Sequence, residues 1–142
     1  MLMKYITHSV KETKELAKEL VKSLKAGQVI GLSGDLGAGK TAFTQGLAKA
    51  LGVKSIVNSP TFVLMKVYEA QHKVIKTLVH IDAYRLDEGS NLEALGIEEY
   101  MADPQTLVVV EWVEKIKKIM PKGTEYYNFK VLSEDQREIV VK

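Results

Sequence analysis

Gly34-Asp35-Leu36-Gly37-Ala38-Gly39-Lys40-Thr41 sets two glycines, a lysine and a threonine at the spacing G-x-x-x-x-G-K-T. That spacing suits the phosphates of a nucleoside triphosphate. Gly34, Gly37 and Gly39 carry no side chain to block a phosphate and tolerate positive φ. Successive backbone N–H groups from Gly34 through Asp35, Leu36, Gly37, Ala38 and Gly39 can then converge on an anion. A helix beginning beside Gly39 adds its N-terminal dipole and unpaired N–H groups, with Ala42 in its first turn. Lys40 supplies a mobile positive charge for the β- and γ-phosphates, and the Thr41 hydroxyl supplies a ligand for Mg²⁺.

Phosphate chemistry of this kind calls for an acidic residue at the end of a neighbouring buried strand, to hold Mg²⁺ or polarise the attacking water. Two residues qualify: Asp82, ending Leu78-Val79-His80-Ile81-Asp82, and Glu111, ending Val108-Val109-Val110-Glu111. Both stand where the carboxyl end of a strand meets a ligand crevice, and the sequence does not choose between them. Thr61, in Asn58-Ser59-Pro60-Thr61-Phe62, offers a hydroxyl that can sense a γ-phosphate as switch loops do. Taken alone, the plainer reading of a strand-starting threonine after a turn is favoured there. Trp112, the only tryptophan, divides evenly between the core and a place near the nucleotide or a partner. His80 reads as a packing or hydrogen-bonding residue of the sheet, since no second histidine stands at ligand spacing. Tyr84 and Arg85 either clamp an acidic group or cap the loop after Asp82.

These residues need elements to position them. Gln28–Leu32 reads as a buried strand entering the loop and Thr41–Leu51 as a helix leaving it, with Phe43, Leu47, Ala50 and Leu51 on one face. Upstream, Ser9-Val10-Lys11-Glu12 is a capping box. It opens a helix to about Lys25 whose inner face carries Val10, Leu16, Ala17, Leu20, Val21 and Leu24. A short strand is expected at Ser55–Val57. Thr61–Tyr68 and Val74–Asp82 are expected to form an antiparallel hairpin around Gln71-His72-Lys73. A short helix over Asn91–Met101, an apolar strand over Thr106–Trp112 and a short helix over Glu114–Met120 follow. Tyr126–Leu132 and Glu138–Val141 form a second hairpin. Strands interleaved with helices, plus hairpins, predict an α/β fold: a P-loop NTPase-like three-layer αβα sandwich around a mixed, mainly parallel sheet.

The chain has 142 residues, 46% of them hydrophobic and 27% charged, which is ordinary for one globular domain. A net charge of +2 is too small to argue for nucleic acid by itself. There is no cysteine, hence no disulfide and no thiolate metal site. No apolar run approaches a membrane span of about 20 residues, and with Lys11, Glu12, Lys14 and Glu15 interrupting the N-terminal stretch no signal peptide is expected there. A cytoplasmic protein is the expectation. No N-K-x-D string is present to read guanine, so ATP is the expected nucleotide. Only two arginines occur, Arg85 and Arg137. Neither lies in an evident lid segment, which weighs against a small-molecule kinase, where arginines close over the transferred phosphoryl group. The kinase and a nucleotide sensor without hydrolysis remain as alternatives to an ATPase switch acting on another protein.

The landmarks Ser33–Thr41, Ser59-Pro60-Thr61-Phe62, His80-Ile81-Asp82-Ala83-Tyr84-Arg85-Leu86, Leu95-Gly96 and Val110-Glu111-Trp112 together resemble the TsaE (YjeE) family, in order and spacing, across essentially the whole chain. The resemblance implies the ATPase component of the bacterial machinery that makes threonylcarbamoyladenosine beside the anticodon of tRNA. Its implied partners are a TsaD–TsaB heterodimer, with tRNA met indirectly through that complex. It implies ATP and Mg²⁺, phosphate held by Gly34–Gly39, Lys40 on the β- and γ-phosphates and Thr41 on the metal. Thr61 gains weight as part of the first switch segment. Asp82 matches the acidic residue of the H-x-D-x-Y-R segment, and Glu111 matches a metal-binding glutamate. Thr7 corresponds to a contact with the nucleotide base. Ala42 stands where many members carry a second threonine, a departure that leaves the metal hydroxyl of Thr41 in place.

Overall fold

The computed structural model describes residues 2–25, 27–58, 65–86 and 96–142. The expected Thr61 site therefore lies outside the described residues, as do the first residues of the expected helix over Asn91–Met101. The elements run β1 (Met3–Thr7), α1 (Val10–Val21), β2 (Val29–Ser33), α2 (Lys40–Ala50), β3 (Met65–Glu69), β4 (Thr77–Asp82), α3 (Ile97–Ala102), β5 (Thr106–Glu111), 3₁₀ turns at Val113–Lys115 and Lys117–Ile119, β6 (Glu125–Val131) and β7 (Arg137–Val141).

The strands form one sheet in the order β1-β7-β6-β2-β5-β4-β3. Its centre is parallel, β6-β2-β5-β4, and antiparallel pairs flank it at β1-β7, β6-β7 and β3-β4. Helices on both faces account for the continuous apolar runs of the central strands. Leu107 to Val110 are all fully buried. Period-two alternation then divides each strand between two cores. Leu78, Leu107 and Val109 face α1 and α2 with Ala17, Phe43 and Leu47. Val79, Ile81, Val108 and Val110 face Ile97 of α3 and Val113 of the 3₁₀ turn. This is the expected three-layer αβα sandwich.

Helix α2 is fixed to the sheet by Phe43, whose ring packs on Tyr127 at 5.2 Å and edge-on to Phe129 at 5.4 Å between centroids. Each such pair adds about 0.5–1.5 kcal/mol beyond burial. Helix α1 begins at Ser9, whose Oγ accepts the Glu12 N–H at 3.0 Å, a cap worth about 1 kcal/mol. The reciprocal half of the capping box is displaced by one residue: Glu12 Oε1 accepts the N–H of His8 at 3.1 Å.

Several boundaries differ from the sequence reading. Helix α1 stops at Val21 because the next turns close by shorter-range bonds, Lys22 N–H to Glu19 O and Ser23 N–H to Leu20 O. Val10 is exposed, and Thr13 is buried on the inner face instead. No strand forms at Ser55–Val57. There the Val57 carbonyl accepts the Gln45 side-chain amide at 2.8 Å, and no strand among the described residues pairs with it. The helix expected at Glu114–Met120 is two 3₁₀ turns interrupted at Ile116, whose φ is −133°. β1 was not anticipated at all.

Candidate functional site

Loop 34–39 leaves β2 and enters α2 through three left-handed glycines, with φ of 136° at Gly34, 80° at Gly37 and 107° at Gly39. Gly34 is needed for packing as well as for its dihedral. A Cβ there would lie 2.4 Å from the Phe129 carbonyl oxygen on β6. The loop is thereby pressed against the sheet while Leu36 projects outward, 88% exposed. Arg137 ties the β6-β7 hairpin to the same loop, donating to the Gly37 carbonyl at 3.2 Å and to Ser133, Glu134 and Gln136 carbonyls of its own turn.

The loop borders a cavity of about 540 Å³ lined by Gly37 to Ala42, Val10, Asp82, Tyr84, Glu111 and Trp112, among others. Lys40 is buried beneath it. Its Nζ donates to the Gly34 carbonyl and, at 3.0 Å, to the Asp35 carbonyl. It also lies 4.0 Å from the centroid of the Trp112 ring. Burial pulls the Lys40 ammonium below the ordinary lysine range, and the carboxylates of Glu111, Glu114, Asp35 and Asp82 oppose that fall. An ammonium kept partly dehydrated beside acceptors is ready to exchange them for a polyanion.

Trp112 is the one non-glycine residue of the described set with positive φ, at 59°, a conformation that costs about 1–2 kcal/mol. It turns the chain out of β5 into the first 3₁₀ turn and sets the indole against Tyr84, 4.9 Å between ring centroids. The structure thus puts Trp112 on the cavity wall, an alternative the sequence left open.

Asp82 and Glu111 are register partners at the ends of β4 and β5, and both line the cavity. Their surroundings differ. Glu111 is buried; its Oε1 accepts the Thr41 hydroxyl at 3.0 Å and its Oε2 faces His80 Nε2. Asp82 is only partly buried, and its Oδ1 accepts the Tyr84 N–H at 3.0 Å, turning the chain out of the strand. The sequence reading had His80 as a packing or hydrogen-bonding residue of the sheet but did not name Glu111 as the partner of that bond. Alternation in β4 was its available signal, since His80 and Asp82 share the face that looks toward α2.

The site gathers Lys40, Thr41, Asp82 and Glu111 around one cavity, together with Gly37, Ala38, Gly39, Leu36 and Ala42. Gly34 and Asp35 contribute through the carbonyls that hold Lys40. Thr7 stands apart: it is buried and its hydroxyl pairs with that of Thr13 at 2.8 Å, outside the cavity lining. A larger groove, about 830 Å³, runs between α1 and α2 and carries none of these residues.

The donor set suits a magnesium ion. Thr41, Glu111 and Asp82 offer oxygen only, as a hard cation prefers. Among the described residues no three or more His, Cys, Asp or Glu are placed to hold a metal ion by themselves. Mg²⁺ held by one or two protein oxygens plus substrate phosphates needs no such cage.

Residues 7–139 match the family model described as "Threonylcarbamoyl adenosine biosynthesis protein TsaE". The chain belongs to the TsaE family. It is 41% identical over 137 residues to the tRNA threonylcarbamoyladenosine biosynthesis protein TsaE of Bacillus subtilis, covering 96% of this chain and 83% of that one. To the Aquifex aeolicus TsaE protein it is 41% identical over 119 residues, 82% of this chain and 81% of the relative. Its fold matches the crystal structure of Bacillus subtilis YdiB with a TM-score of 0.80 at 33% identity, over 99% of this chain and 84% of YdiB. As a TsaE member, this chain is part of threonylcarbamoyladenosine biosynthesis. No described helix is long and apolar enough to cross a membrane.

Proposed function

We propose that this TsaE chain binds and hydrolyses ATP with Mg²⁺, and that the turnover drives the cycle of a TsaD–TsaB transferase modifying tRNA. The observation that carries the reading is the convergence on one cavity of Lys40, the phosphate loop and the Thr41–Glu111 hydrogen bond of 3.0 Å. In this reading the N–H groups of loop 34–39 cradle the phosphates, and Lys40 leaves the Gly34 and Asp35 carbonyls for the β- and γ-oxygens. Thr41, Glu111 and Asp82 would hold the metal. When bound, Mg²⁺ neutralises charge developing on the phosphoryl oxygens. Glu111 and Asp82 also stand where an attacking water can be oriented by a carboxylate. The apolar side chains of Val10, Leu36, Tyr84 and Trp112 border the cavity in which the phosphates would sit.

Loss of the γ-phosphate frees the groups gathered on it, and the surface offered to a partner changes accordingly. ATP state then couples to association with TsaD–TsaB, and tRNA is met through that complex. The expected location is the cytoplasm. The test is multi-turnover tRNA threonylcarbamoylation with purified TsaD–TsaB, threonine, bicarbonate, the carbamoyl-adenylate synthase and ATP. Intact chain, Lys40→Ala and no addition are compared. Sustained modification with the intact chain alone supports the reading; equal modification in all three overturns it.

A further inference from the structure

We propose that His80 is a positioning residue for the metal-facing carboxylate, its Nε2–H holding Glu111 in the orientation that presents Oε1 beside Thr41. The inference deepens the ATPase reading above and rests on its assignment of Thr41 and Glu111 to the metal.

His80 is an anomaly in its own strand. Leu78, Val79 and Ile81 around it are fully buried and apolar, and His80 is equally buried. A leucine or valine would fill such a place without burying polar atoms. Only one imidazole nitrogen has a partner: Nε2 meets Glu111 Oε2, while Nδ1 is buried without a hydrogen-bond partner among the described residues. An ionised carboxylate accepts only, so the proton belongs on Nε2. The other tautomer sets a lone pair against the carboxylate and strands an N–H in the core. The geometry assigns the Nε2–H form.

Glu111 is consequently gripped at both oxygens, by His80 at Oε2 and by the Thr41 hydroxyl at Oε1 across 3.0 Å. The two grips differ in where a metal would meet them. Thr41 lines the cavity and would offer a cation a lone pair of its hydroxyl oxygen, its O–H staying free to donate to Glu111. His80, behind the carboxylate and away from the cavity lining, keeps its bond throughout. It therefore fixes the carboxylate plane whether or not the cation is present. An outer partner of this sort, when removed, lowers metal affinity by about 10–100-fold. The phosphate contacts of loop 34–39 and Lys40 do not pass through His80, so metal-free nucleotide affinity is independent of it.

The experiment titrates Mn²⁺ into the protein with ADP, following free Mn²⁺ by electron paramagnetic resonance. It is paired with ADP calorimetry in chelator and thermal unfolding, for the wild type, His80→Leu and His80→Gln. The Gln amide can restore a donor near the Nε2 position. Support is an Mn²⁺ affinity lowered by about 10–100-fold in His80→Leu, partly recovered in His80→Gln, with metal-free ADP affinity unchanged. Wild-type Mn²⁺ affinity in a folded His80→Leu overturns the proposal. So does a loss of metal-free ADP affinity equal to the loss of Mn²⁺ affinity in both variants, which marks a purely structural role. If His80→Leu does not fold, His80→Gln decides. Mn²⁺ affinity near that of the wild type, with the unfolding midpoint retained, supports a donor role; Mn²⁺ and metal-free ADP affinity falling together overturns it. Failure of Mn²⁺ to bind the wild-type ADP complex removes the metal reading of Thr41 and Glu111 and this proposal with it. Normal wild-type binding with an unaffected His80→Leu removes the role of His80 alone.

Discussion

Asp82 and Glu111 sit side by side as register partners at the carboxyl ends of two parallel strands, yet only Glu111 is buried and bonded to the Thr41 hydroxyl. This asymmetry predicts different losses. Glu111→Gln is expected to reduce metal-dependent ATP turnover by about 10²-fold or more, because the ion it would hold is what offsets the charge developing on the phosphoryl oxygens. Its metal-free nucleotide affinity is expected to stay near that of the wild type. Asp82→Asn is expected to lose less. Steady-state hydrolysis with magnesium titration ranks the two, and an equal or larger loss in Asp82→Asn would move the principal role to Asp82.

Lys40 carries a different signature. Because burial lowers its pKa in the folded chain, the folded state holds this proton less firmly than the unfolded state does. The penalty is full at neutral pH. It fades as pH rises through the lowered folded-state value toward the ordinary lysine range, where stability increases relative to a variant lacking the group. Lys40→Met is therefore expected to lose nucleotide affinity while unfolding at the wild-type temperature or above it at neutral pH. The stability advantage of the variant should shrink with alkalinity, as read by denaturant unfolding across a pH series.

Two loop glycines separate sterics from dihedral strain. Gly34 is left-handed and hard against the Phe129 carbonyl, whereas Gly37 is left-handed with nothing within 4 Å of a Cβ. Gly37→Ala should cost about 1–2 kcal/mol, the left-handed penalty alone. Gly34→Ala should cost more, because β6 must also give way. Urea unfolding of both variants checks the order, and equal costs would contradict the close approach of the loop to β6.

Asp103 gives an acid-sensitive handle far from the cavity. Its Oδ1 accepts the Gln105 N–H at 2.9 Å and its Oδ2 the Thr106 hydroxyl at 2.9 Å, at the entry to β5. The backbone bond first, then the hydroxyl, holds its pKa below the usual aspartate value. The stability it contributes is present above the unfolded-state pKa and disappears as pH falls through the lowered folded-state value. The difference between the wild type and Asp103→Ala in denaturant midpoint should accordingly be constant near neutrality and close in acid.

Loop 34–39, its strand and its helix were legible because a fixed spacing and a 3.6-residue apolar period are local properties. The ranking of Asp82 against Glu111 was not. It depends on His80 and Thr41, which the chain delivers from β4 and α2. β1 escaped notice for a related reason. Met3–Thr7 shows little buried face of its own, and its pairing partner is β7, with Met3 opposite Val141. The expected helix over Glu114–Met120 had a plausible apolar spacing, but Trp112 enters it from left-handed backbone, and Val113 and Ile116 are buried three residues apart. That is the repeat of a 3₁₀ turn. The strand expected at Ser55–Val57 had apolar residues, but no strand among the described residues pairs with it.

Gly46, midway along α2, leaves no room for a side chain: a Cβ there would lie 2.6 Å from the Lys14 carbonyl oxygen of α1. The two helices meet backbone to backbone, and such a joint has almost no slack. Loop 34–39 opens into the first turn of α2, so α1, α2 and that loop are packed as one stiff piece, and any side chain at position 46 would have to wedge the two helices apart.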